Sequence, residues 1–466
     1  MKIILINPDF DEVGSNKSFK GVINIIPPLG IMYTASVLVK NNFEVKIVDA
    51  YLEKSRNLCH FLNKENPDIV GISVTTPAFP NTIKIAKMIR KNFPEIIIVV
   101  GGPHVTVIPK QTLSSDCFDI GIIGEGEVTF LELVKELSKK KPNLGGVKGL
   151  SFKKKGKIFF TGSRPLIKNL DSIPFPARHL VPPLSKYKPT PASYRKLPQG
   201  TIITSRGCYS KCAFCDRSIF GHSYRERSVN NVFDEVEELV DKFGVKELKF
   251  FDDNFTLNKK RLFKICDEFK KRKVDLGWSC LTRVNLVNKE ILIKMKKAGC
   301  WQILFGVESG DPAILKSIRK GITLTQSEKA VRLAKKLGFS VRADFIMGLP
   351  GENIKTMEKT LQFAKKINPS FASFHKFTPY PGSEIYKNLI KEGYRFDLKK
   401  TYGQLNCSDS IYSPKSISKK QLGDFIKKAY KEFYLRPEYM FNRLSEIDSF
   451  ESLVRELKGF FAILGS

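Results

Sequence analysis

Short apolar segments alternate with helical segments twice along this chain of 466 residues. In the first third of the chain, the apolar segments are rich in β-branched residues and end in turn residues, which is typical of buried strands. These segments cover residues 2–7, 43–49, 68–74, 95–102 and 119–126, and helical patterns lie near 30–41, 80–92 and 128–140. Strands separated by helices in this way predict an α/β fold with a doubly wound parallel sheet of the Rossmann or flavodoxin-like type.

The second alternation extends over residues 200–390. Strand patterns are found at 201–207, 247–253, 276–282, 302–308, 341–348 and 371–377, and helical patterns lie between them, for example at 229–243 and 325–337. Six strand–helix units in succession predict a partial, TIM-like (β/α)6 barrel. Residues 391–466 have mostly helical patterns, which predicts a helical C-terminal region.

A proline-rich stretch separates the two alternating regions. Residues 149–162 have the pattern of a β-hairpin around a Lys/Gly turn. The following SIPFPARHLVPP (172–183) excludes a helix or a central strand. We therefore divide the chain into an N-terminal sheet domain (1–145), a connector (146–199), a barrel core (200–390) and a helical C-terminal domain (391–466).

Three cysteines, Cys208, Cys212 and Cys215, follow the spacing CxxxCxxC in the stretch RGCYSKCAFCDRS. Clusters of the 4Fe–4S type are normally held by four cysteine thiolates, so three thiolates leave one iron open to bind another molecule. A structural zinc ion, the alternative, takes four ligands, usually from two spaced pairs. The chain has no second CxxC pair, and the nearest further candidate is His222. Four later cysteines stand singly and are interpreted as small buried hydrophobes: Cys266, Cys280, Cys300 and Cys407.

The CxxxCxxC spacing, with the aromatic Phe214 just before the last cysteine, resembles the radical S-adenosylmethionine (SAM) enzymes. The resemblance implies that the amino and carboxylate groups of SAM chelate the open iron. The reduced cluster then splits SAM into methionine and a 5′-deoxyadenosyl radical, which abstracts a hydrogen atom. In such enzymes the cofactors carry the difficult chemistry, and the protein orients them and excludes water.

The same resemblance implies a SAM site at the C-terminal ends of the barrel strands, where barrels gather their catalytic groups. The acceptors in Asp252, Asp253 and Asn254 suit the SAM ammonium, Glu308 would meet the ribose hydroxyls, and Arg283 would pair with the methionine carboxylate. Strand-end acids are also common helix N-caps, and Arg283 could instead lie on the surface. The SAM-binding residues implied are Phe214, Asp252, Asp253, Asn254, Arg283, Glu308, Ser309, Ile346 and Gly348, and Tyr380 in FTPYPGS (377–383) would face the active site.

The strand-end loops ISVTT (72–76), GGPHV (101–105) and GEGE (124–127) resemble those of the cobalamin-binding domain that precedes many radical SAM cores. A GxGxxG fingerprint is absent, which argues against NAD. The resemblance implies that these loops take the nucleotide tail of cobalamin. The residues implied are Ser73, Thr75, Thr76, Gly101, Gly102, Pro103, His104, Gly124, Glu125 and Gly126.

One position bears on how the cobalt would be held. Corrinoid proteins of the methionine-synthase type have a DxHxxG motif whose histidine ligates cobalt, and the corresponding stretch here reads DFDEVG (9–14), with Asp11 in place of that histidine. The resemblance therefore implies a base-off cobalamin without a protein histidine ligand. His104 lies in a tail-binding loop, and we interpret it as a packing or hydrogen-bonding residue.

The net charge of +31 invites a nucleic-acid interpretation. Residues 146–200 alone carry 12 Lys or Arg and a single acidic residue, a density that could attract an acidic substrate or a membrane surface. We interpret most of the excess as lysines that solvate exposed faces, and we expect no stable nucleic-acid partner. The chain shows no secretory signal and no apolar stretch of the roughly 18 residues that a membrane span needs. With unpaired cysteines and an oxygen-sensitive cluster, these features predict a cytoplasmic protein.

The resemblance implies a cobalamin-dependent radical SAM enzyme that methylates an unactivated carbon of a small-molecule, lipid or natural-product substrate, with a flavodoxin or ferredoxin as electron donor. The stretch FYLRPEYMFNRL (433–444) resembles the anaerobic tetrapyrrole-cyclase and hopanoid-associated branch, so oxidative cyclisation or rearrangement stays open as an alternative. An RNA-modifying enzyme and a non-catalytic metal- or nucleic-acid-binding module are weaker alternatives. The amphipathic stretch 449–464 would pack on the core or act as a lid, or would touch a membrane.

Overall fold

The computed structural model describes residues 1–9, 24–53, 57–397, 411–445 and 454. Its first unit is a seven-stranded sheet with the strand order β2-β1-β3-β4-β5-β6-β7. The first five strands are parallel, and a β6–β7 hairpin continues the sheet antiparallel to β5. The strands are β1 (Lys2–Asn7), β2 (Glu44–Asp49), β3 (Ile69–Ser73), β4 (Ile97–Gly101), β5 (Ile120–Ile122), β6 (Leu150–Lys154) and β7 (Lys157–Phe160).

Helices cover both faces of this sheet, as the alternating side chains of β1 require. Ile3 and Leu5 belong to one core cluster, together with residues of the helices that follow β1 and β5. Ile4 and Ile6 point to the other face and belong to a second cluster, with residues of the helices that follow β2 and β3. The predicted doubly wound parallel sheet is thus confirmed. The helices are α1 (Leu29–Lys40), α2 (Leu58–Glu65), α3 (Phe79–Asn92), α4 (Pro103–Val107), α5 (Pro109–Leu113) and α6 (Gly126–Leu137).

The second unit is a six-stranded parallel sheet with the order β15-β14-β13-β12-β11-β8, which confirms the predicted partial barrel. A two-stranded antiparallel ribbon, β9–β10, follows its first strand. The strands are β8 (Gln199–Ile202), β9 (Ser205–Arg206), β10 (Arg225–Glu226), β11 (Glu247–Phe250), β12 (Gly277–Thr282), β13 (Cys300–Glu308), β14 (Ser340–Met347) and β15 (Phe371–Lys376).

The barrel helices begin and end at residues that the sequence marks clearly. Helix α7, for example, begins after Ser228, whose hydroxyl accepts from the Asn231 amide, and ends at Gly244 in the left-handed conformation. The helices of this region are α7 (Val229–Phe243), α8 (Lys259–Lys271), α9 (Lys289–Lys297), α10 (Pro312–Ser317), α11 (Leu324–Lys336), α12 (Ile354–Ile367) and α13 (Glu384–Lys391).

The connector runs as short 3₁₀ turns that bond to both units. Tyr187 donates a hydrogen bond to Asp49 of β2 over 2.9 Å. On the barrel side, Arg178 forms a buried ion pair with Glu235 of α7 over 2.5 Å. These bonds fix the sheet against the barrel. The 3₁₀ turns in and near the connector are Leu144–Gly146, Leu170–Ser172, Arg178–Leu180, Leu184–Lys186 and Pro191–Ser193, and a further one, Val284–Leu286, lies in the barrel.

Helices α14 (Lys419–Tyr434) and α15 (Pro437–Ser445) close the open edge of the barrel. The hydroxyls of Tyr430 and Tyr434 accept hydrogen bonds from the backbone N–H groups of Phe374 and Ala372 on the edge strand β15, over 3.2 and 3.0 Å. This side-chain pairing covers an edge that would otherwise expose unpaired amides. Apart from residue 454, the amphipathic stretch 449–464 lies outside the described residues. None of the helices described is both long and apolar enough to cross a bilayer.

Candidate functional site

A cavity of about 1010 Å³ opens at the C-terminal ends of the barrel strands. All three cysteines of the CxxxCxxC motif line it, together with residues from the ends of β11 to β15 and from α14. This is the end of a barrel at which active sites are built. The predicted gathering of strand-end residues around the cysteine loop is therefore visible in the structure.

The cysteine loop is held by backbone and side-chain contacts from the barrel. The loop begins at Gly207, whose φ of +90° and whose distance of 2.0 Å from an ideal Cβ to a backbone oxygen leave room only for glycine. Asn254 donates a hydrogen bond to Cys208 Sγ over 3.0 Å, and Arg283 donates to Cys212 Sγ over 3.3 Å. Donors aimed at sulfur suit thiolates that carry negative charge.

The donor set fits an iron–sulfur cluster better than a single metal ion. In the described part of the chain, no three His, Cys, Asp or Glu side chains converge on one point as a zinc ion requires. His222 does not line the cavity either. A cubane places each thiolate on a different iron, so its cysteines stand further apart. Burial and the neighbouring Cys212 raise the pKa of the Cys215 thiol to about 11, so iron binding would have to displace its proton.

The three polar residues after β11 are placed differently from one another. Asp253 and Asn254 line the cavity, and the buried Oδ1 of Asn254 accepts no hydrogen bond from any described residue, so an acceptor is available to a ligand. Burial, and then the charge of Asp252, raises the pKa of Asp253. Asp252, which we predicted to contact SAM, does not line the cavity. Its oxygens accept from Thr204 N and Oγ1 and from Ser205 Oγ, each over 2.6 Å, so it shapes the loop that leads to the cysteines.

Glu308 ends β13 inside the cavity and forms an ion pair with Lys320 over 2.6 Å. Its φ of +69° is unusual for a residue other than glycine and marks strain at a candidate site. An ideal Cβ on Gly306 would lie 2.4 Å from Glu308 Oε1 and 2.8 Å from Lys320 Nζ. The pair therefore depends on a glycine two residues earlier.

The remaining predicted SAM residues divide into those that line the cavity and those behind it. Phe214, Arg283 and Ile346 line the cavity, and so does Tyr380. Ser309 does not, because its side chain is fully buried against Thr360 at 3.2 Å. Gly348 also lies behind the wall, where an ideal Cβ would meet Leu422 at 2.7 Å. Ser309 and Gly348 thus lie behind the cavity wall, and their contacts with SAM stay a prediction.

A second cavity, of about 320 Å³, lies at the carboxyl edge of the N-terminal sheet, where β1 and β3 diverge in the strand order. Ligands bind at such switch points in open α/β sheets. Ideal Cβ atoms on Gly30 and Gly124 would enter open space there, so glycine leaves room for a ligand. Of the residues predicted to hold the cobalamin tail, this cavity is lined by Ser73, Gly101, Gly102, Pro103, Gly124, Glu125 and Gly126.

Thr75, Thr76 and His104, also predicted for the tail, lie elsewhere. The two threonines line a smaller cavity of about 310 Å³ that Tyr380 also borders. His104 lines none of these three cavities and is fully buried, with its ring 4.0 Å from that of Phe79 and its Nδ1 3.2 Å from Thr76 Oγ1. Burial lowers the pKa of His104 to about 3. This environment fits the interpretation of His104 as a packing residue. Asp11 lies outside the described residues.

The barrel cavity and the sheet cavity meet at three shared residues. Pro103, from the end of β4, and Ile219 and Phe220, from the segment after the cysteine loop, line both of them. A ligand in the sheet cavity and a ligand on the cysteine loop would therefore approach each other across these residues.

Comparison with known proteins decides the family. The model of the radical SAM superfamily matches residues 202–364, and that of the B12 binding domain matches residues 22–134. An uncharacterized methyltransferase of Pyrococcus horikoshii is 38% identical over 99% of this chain and 98% of its own length. The chain belongs to the radical SAM enzymes that carry a B12-binding domain. Its cofactors are accordingly a 4Fe–4S cluster, SAM and cobalamin, as the sequence predicted.

Further relatives of this radical SAM enzyme carry several activities. The anaerobic magnesium-protoporphyrin IX monomethyl ester cyclase of Cereibacter sphaeroides is 28% identical over 94% of this chain and 71% of the relative. Among solved structures, the methyltransferase TsrM from Kitasatospora setae with cobalamin and a 4Fe–4S cluster has a TM-score of 0.71 at 16% identity, covering 100% of this chain and 99% of that chain. OxsB with aqua-cobalamin and SAM has a TM-score of 0.72 at 19% identity, covering 98% and 72%. These likenesses support the two-unit fold.

Several residues of the site were missed by sequence reasoning. Lys320 and His375 line the cavity, and Arg206 bonds the N-terminal sheet just before the cysteine loop. Arg206 stands two residues before Cys208, which was a local signal. Lys320 and His375 lie in no recognised motif, and their positions depend on the closed barrel.

Proposed function

We propose that this chain is a cobalamin-dependent methyltransferase that methylates an unactivated carbon of a small-molecule, lipid or natural-product substrate. The observation that carries the proposal is the junction of the two cavities at Pro103, Ile219 and Phe220. It lets one substrate carbon lie within reach of both cofactors. The relationship to a protein described as a methyltransferase along nearly the whole chain supports the same activity.

Within this proposal, different residues of the barrel cavity hold the cluster and SAM. When bound, the cluster and SAM supply a hydrogen-abstracting radical, and cobalamin supplies the methyl group. Cys208, Cys212 and Cys215 hold the cluster through three of its irons. Asp253 and Asn254 accept hydrogen bonds from the SAM ammonium, for which both have acceptor atoms facing the cavity.

Two further residues would contact the ribose and the methionine carboxylate of SAM. We propose that Glu308 accepts from the ribose hydroxyls and that its ion pair with Lys320 keeps its side chain aimed into the cavity. Arg283 already donates to Cys212 Sγ and to the Lys320 carbonyl oxygen, so its guanidinium is fixed beside the cysteine loop, where it would pair with the methionine carboxylate of SAM. Ile346 offers an apolar surface to the adenine.

The N-terminal sheet would hold the cobalamin tail in the cavity that the glycine loops open. We propose a base-off cobalamin whose cobalt has no histidine ligand from this chain. The buried position of His104 supports this. Its ring is packed between Phe79 and Thr76, and it lines neither the barrel cavity nor the sheet cavity. We retain the four-part division of the chain (1–145, 146–199, 200–390 and 391–466) as part of the proposal, with the hairpin of the connector hydrogen-bonded to the sheet.

The proposal also includes a low-potential protein, flavodoxin or ferredoxin, that reduces the cluster, and a reducing cytoplasmic setting. Radical formation needs one electron per SAM cleaved, which the chain does not itself supply. Titration of the reconstituted protein with reduced flavodoxin should yield 5′-deoxyadenosine. If only a chemical reductant gave product, flavodoxin would be excluded as the donor.

The methyl-transfer claim can be tested after anaerobic reconstitution with iron, sulfide and cobalamin. About four irons should bind per chain. With SAM labelled as CD₃, we expect S-adenosylhomocysteine to form and the extracted cobalamin to gain the mass of one CD₃ group. With substrate, the product should gain one CD₃ group and 5′-deoxyadenosine should also appear.

Oxidative cyclisation is the second candidate, favoured by the relationship to the magnesium-protoporphyrin cyclase. It predicts 5′-deoxyadenosine without S-adenosylhomocysteine and a product that has gained no methyl group. That result would contradict methyl transfer and leave the cofactor assignment intact. A protein that binds neither iron nor cobalamin would overturn both candidates.

A further inference from the structure

We infer that the substrate is an amphipathic anion, whose carboxylate or phosphate group is bound by His375 and Lys427 on the cavity wall opposite the cysteine loop. The inference rests on the proposed function, since it takes the barrel cavity as the place of reaction. The wall in question is formed by β15 and α14 and is called the substrate wall below. It consists of Phe374, His375, Lys376, Gly423, Ile426, Lys427 and Tyr430.

His375 presents its ring to the cavity from the end of β15. The side chain is 56% exposed, and Nε2 lies 3.8 Å from Asp344 Oδ1, at ion-pair distance. The protein around the barrel mouth takes water away from part of the ring and so opposes a charge on it, but the carboxylate of Asp344 outweighs this desolvation and raises the pKa of His375. The ring is thus favoured as a donor toward an anion in the cavity.

Lys427 faces the same space from α14 and is exposed. Lys376 adds a third basic residue to the substrate wall. Within this wall, all of which is described, no acidic side chain is present. Asp253 and Glu308 line the cavity beside the cysteine loop. Asp344, on the neighbouring strand β14, lines it next to His375 and pairs with that ring. Three basic residues on the substrate wall outnumber this one adjacent carboxylate, so the wall is complementary to a negative charge.

An apolar surface lies directly beside these cations. Phe374 and Ile426 are 2% and 7% exposed, and the ring of Tyr430 meets that of Phe374 edge to face at 5.4 Å. The Tyr430 hydroxyl also accepts from the Phe374 amide, so the aromatic pair is fixed. A ligand whose anionic group meets His375 and Lys427 would place its carbon skeleton against this surface, pointing toward the cysteines.

The size of the cavity agrees with two occupants. Pockets for one small ligand have volumes of about 300–1,000 Å³, and this cavity, at about 1010 Å³, stands at the upper limit. With SAM on the cysteine side, space is left for a second molecule along the substrate wall. Lys320 and Arg283 are engaged with Glu308 and Cys212 on the SAM side, so we assign the anionic group of the substrate to His375 and Lys427 on the other wall.

The test uses the anaerobically reconstituted holoenzyme with SAM bound, and octyl phosphate and octanoate as probes. Calorimetry should show that at least one anionic probe binds ten times more tightly or better than 1-octanol and octyltrimethylammonium. His375→Gln and Lys427→Met should each weaken that probe about tenfold. Lys428→Met is the matched control, since Lys428 pairs with Glu358 outside the cavity, and it should bind the probe as the parent does.

The two anionic probes separate a phosphate substrate from a carboxylate one, and a preference for either supports the inference. The inference would be overturned if 1-octanol bound as tightly as both anions. It would also be overturned if the Lys427→Met and Lys428→Met variants had the same affinity for the anionic probe. Iron, cobalamin and SAM binding are measured on the same samples. If these are intact while the anion preference is missing, only the inference fails. If cobalamin does not bind, the proposed function fails whatever the probes do.

Discussion

Arg206 of the barrel donates a hydrogen bond to Glu125 of the N-terminal sheet over 2.8 Å. The same guanidinium bonds Glu127 over 2.6 Å, and all three side chains are at most 7% exposed. Glu125 lies in a loop predicted to hold the cobalamin tail, and Arg206 stands two residues before the first cysteine of the cluster motif. Two buried ion pairs of Arg206 therefore join the segments proposed to hold the two cofactors.

Replacing Arg206 with methionine should destabilise the protein strongly. Burial opposes a charge on Arg206, but Glu127 and Glu125 outweigh it and raise the pKa of Arg206. Without the guanidinium, the buried Glu127 loses its ion-pair partner, which costs about 3–5 kcal/mol, whereas Glu125 keeps its ion pair with Arg225 over 2.9 Å. Chemical unfolding measures the change. Lys259→Met is the control, because Lys259 and its partner Glu290 are both about half exposed and the loss of stability should stay below about 1 kcal/mol. Similar losses in both variants would contradict a special role for Arg206.

Replacing any one of Cys208, Cys212 and Cys215 with alanine should abolish the cluster. Three thiolates are the minimum set proposed for three irons, so iron content and the visible absorption of the reconstituted protein should fall to background. Cys59→Ala is the control. Cys59 lies on α2 beside Met88, away from the cavity, and its loss should leave iron content unchanged. Iron retained in a Cys212→Ala variant would refute the ligand assignment.

Gly306→Ala should weaken SAM binding without removing a proposed SAM ligand. The new methyl group would collide with both Glu308 and Lys320 and displace their ion pair. We expect the affinity for SAM, measured by equilibrium dialysis, to fall at least tenfold while iron and cobalamin contents stay constant. Gly146→Ala enters open space outside the cavity and serves as the control. Unchanged SAM affinity would show that the Glu308–Lys320 pair lies outside the SAM site.

We expect the folded protein to lose stability as the pH rises, because the buried carboxyl of Glu352 then ionises. Burial raises its pKa to about 7 from an ordinary value of 4.5, although the amides of Gly348 and Leu349 donate to Oε2 over 2.6 and 2.9 Å. The native state therefore binds more protons than the unfolded state between these two values, and stability is lost as the pH climbs through them. Unfolding free energies of the parent and Glu352→Gln should diverge over pH 4.5–7 by up to about 3 kcal/mol in favour of the variant. Parallel pH profiles would contradict this.

Much of the fold could be predicted because its signals are local. The pattern at 229–243 coincides with α7, which Ser228 and Gly244 delimit, and the six barrel strands lie within a few residues of their predicted positions. The hairpin at 149–162 was predictable from its turn, but its pairing with β5 was not, because strand partners distant in sequence leave no local trace.

The site was less predictable than the fold. Asp252, Asp253 and Asn254 are adjacent in sequence, but the backbone after β11 turns Asp252 toward Thr204 and the other two toward the cavity. No pattern of three residues distinguishes these directions. Arg206 and Glu125 are 81 positions apart, so their bond appears only when sheet and barrel meet.

The central claim is that the cluster and cobalamin share one reaction space across Pro103, Ile219 and Phe220. The most direct test is the electron spin relaxation of cob(II)alamin in the reconstituted protein, measured with the cluster oxidised and reduced. We expect relaxation to be markedly faster with the reduced, paramagnetic cluster, and we expect no such change in the C208A/C212A/C215A variant loaded with cobalamin. Relaxation that is the same in both cluster states of the parent protein would contradict the shared site.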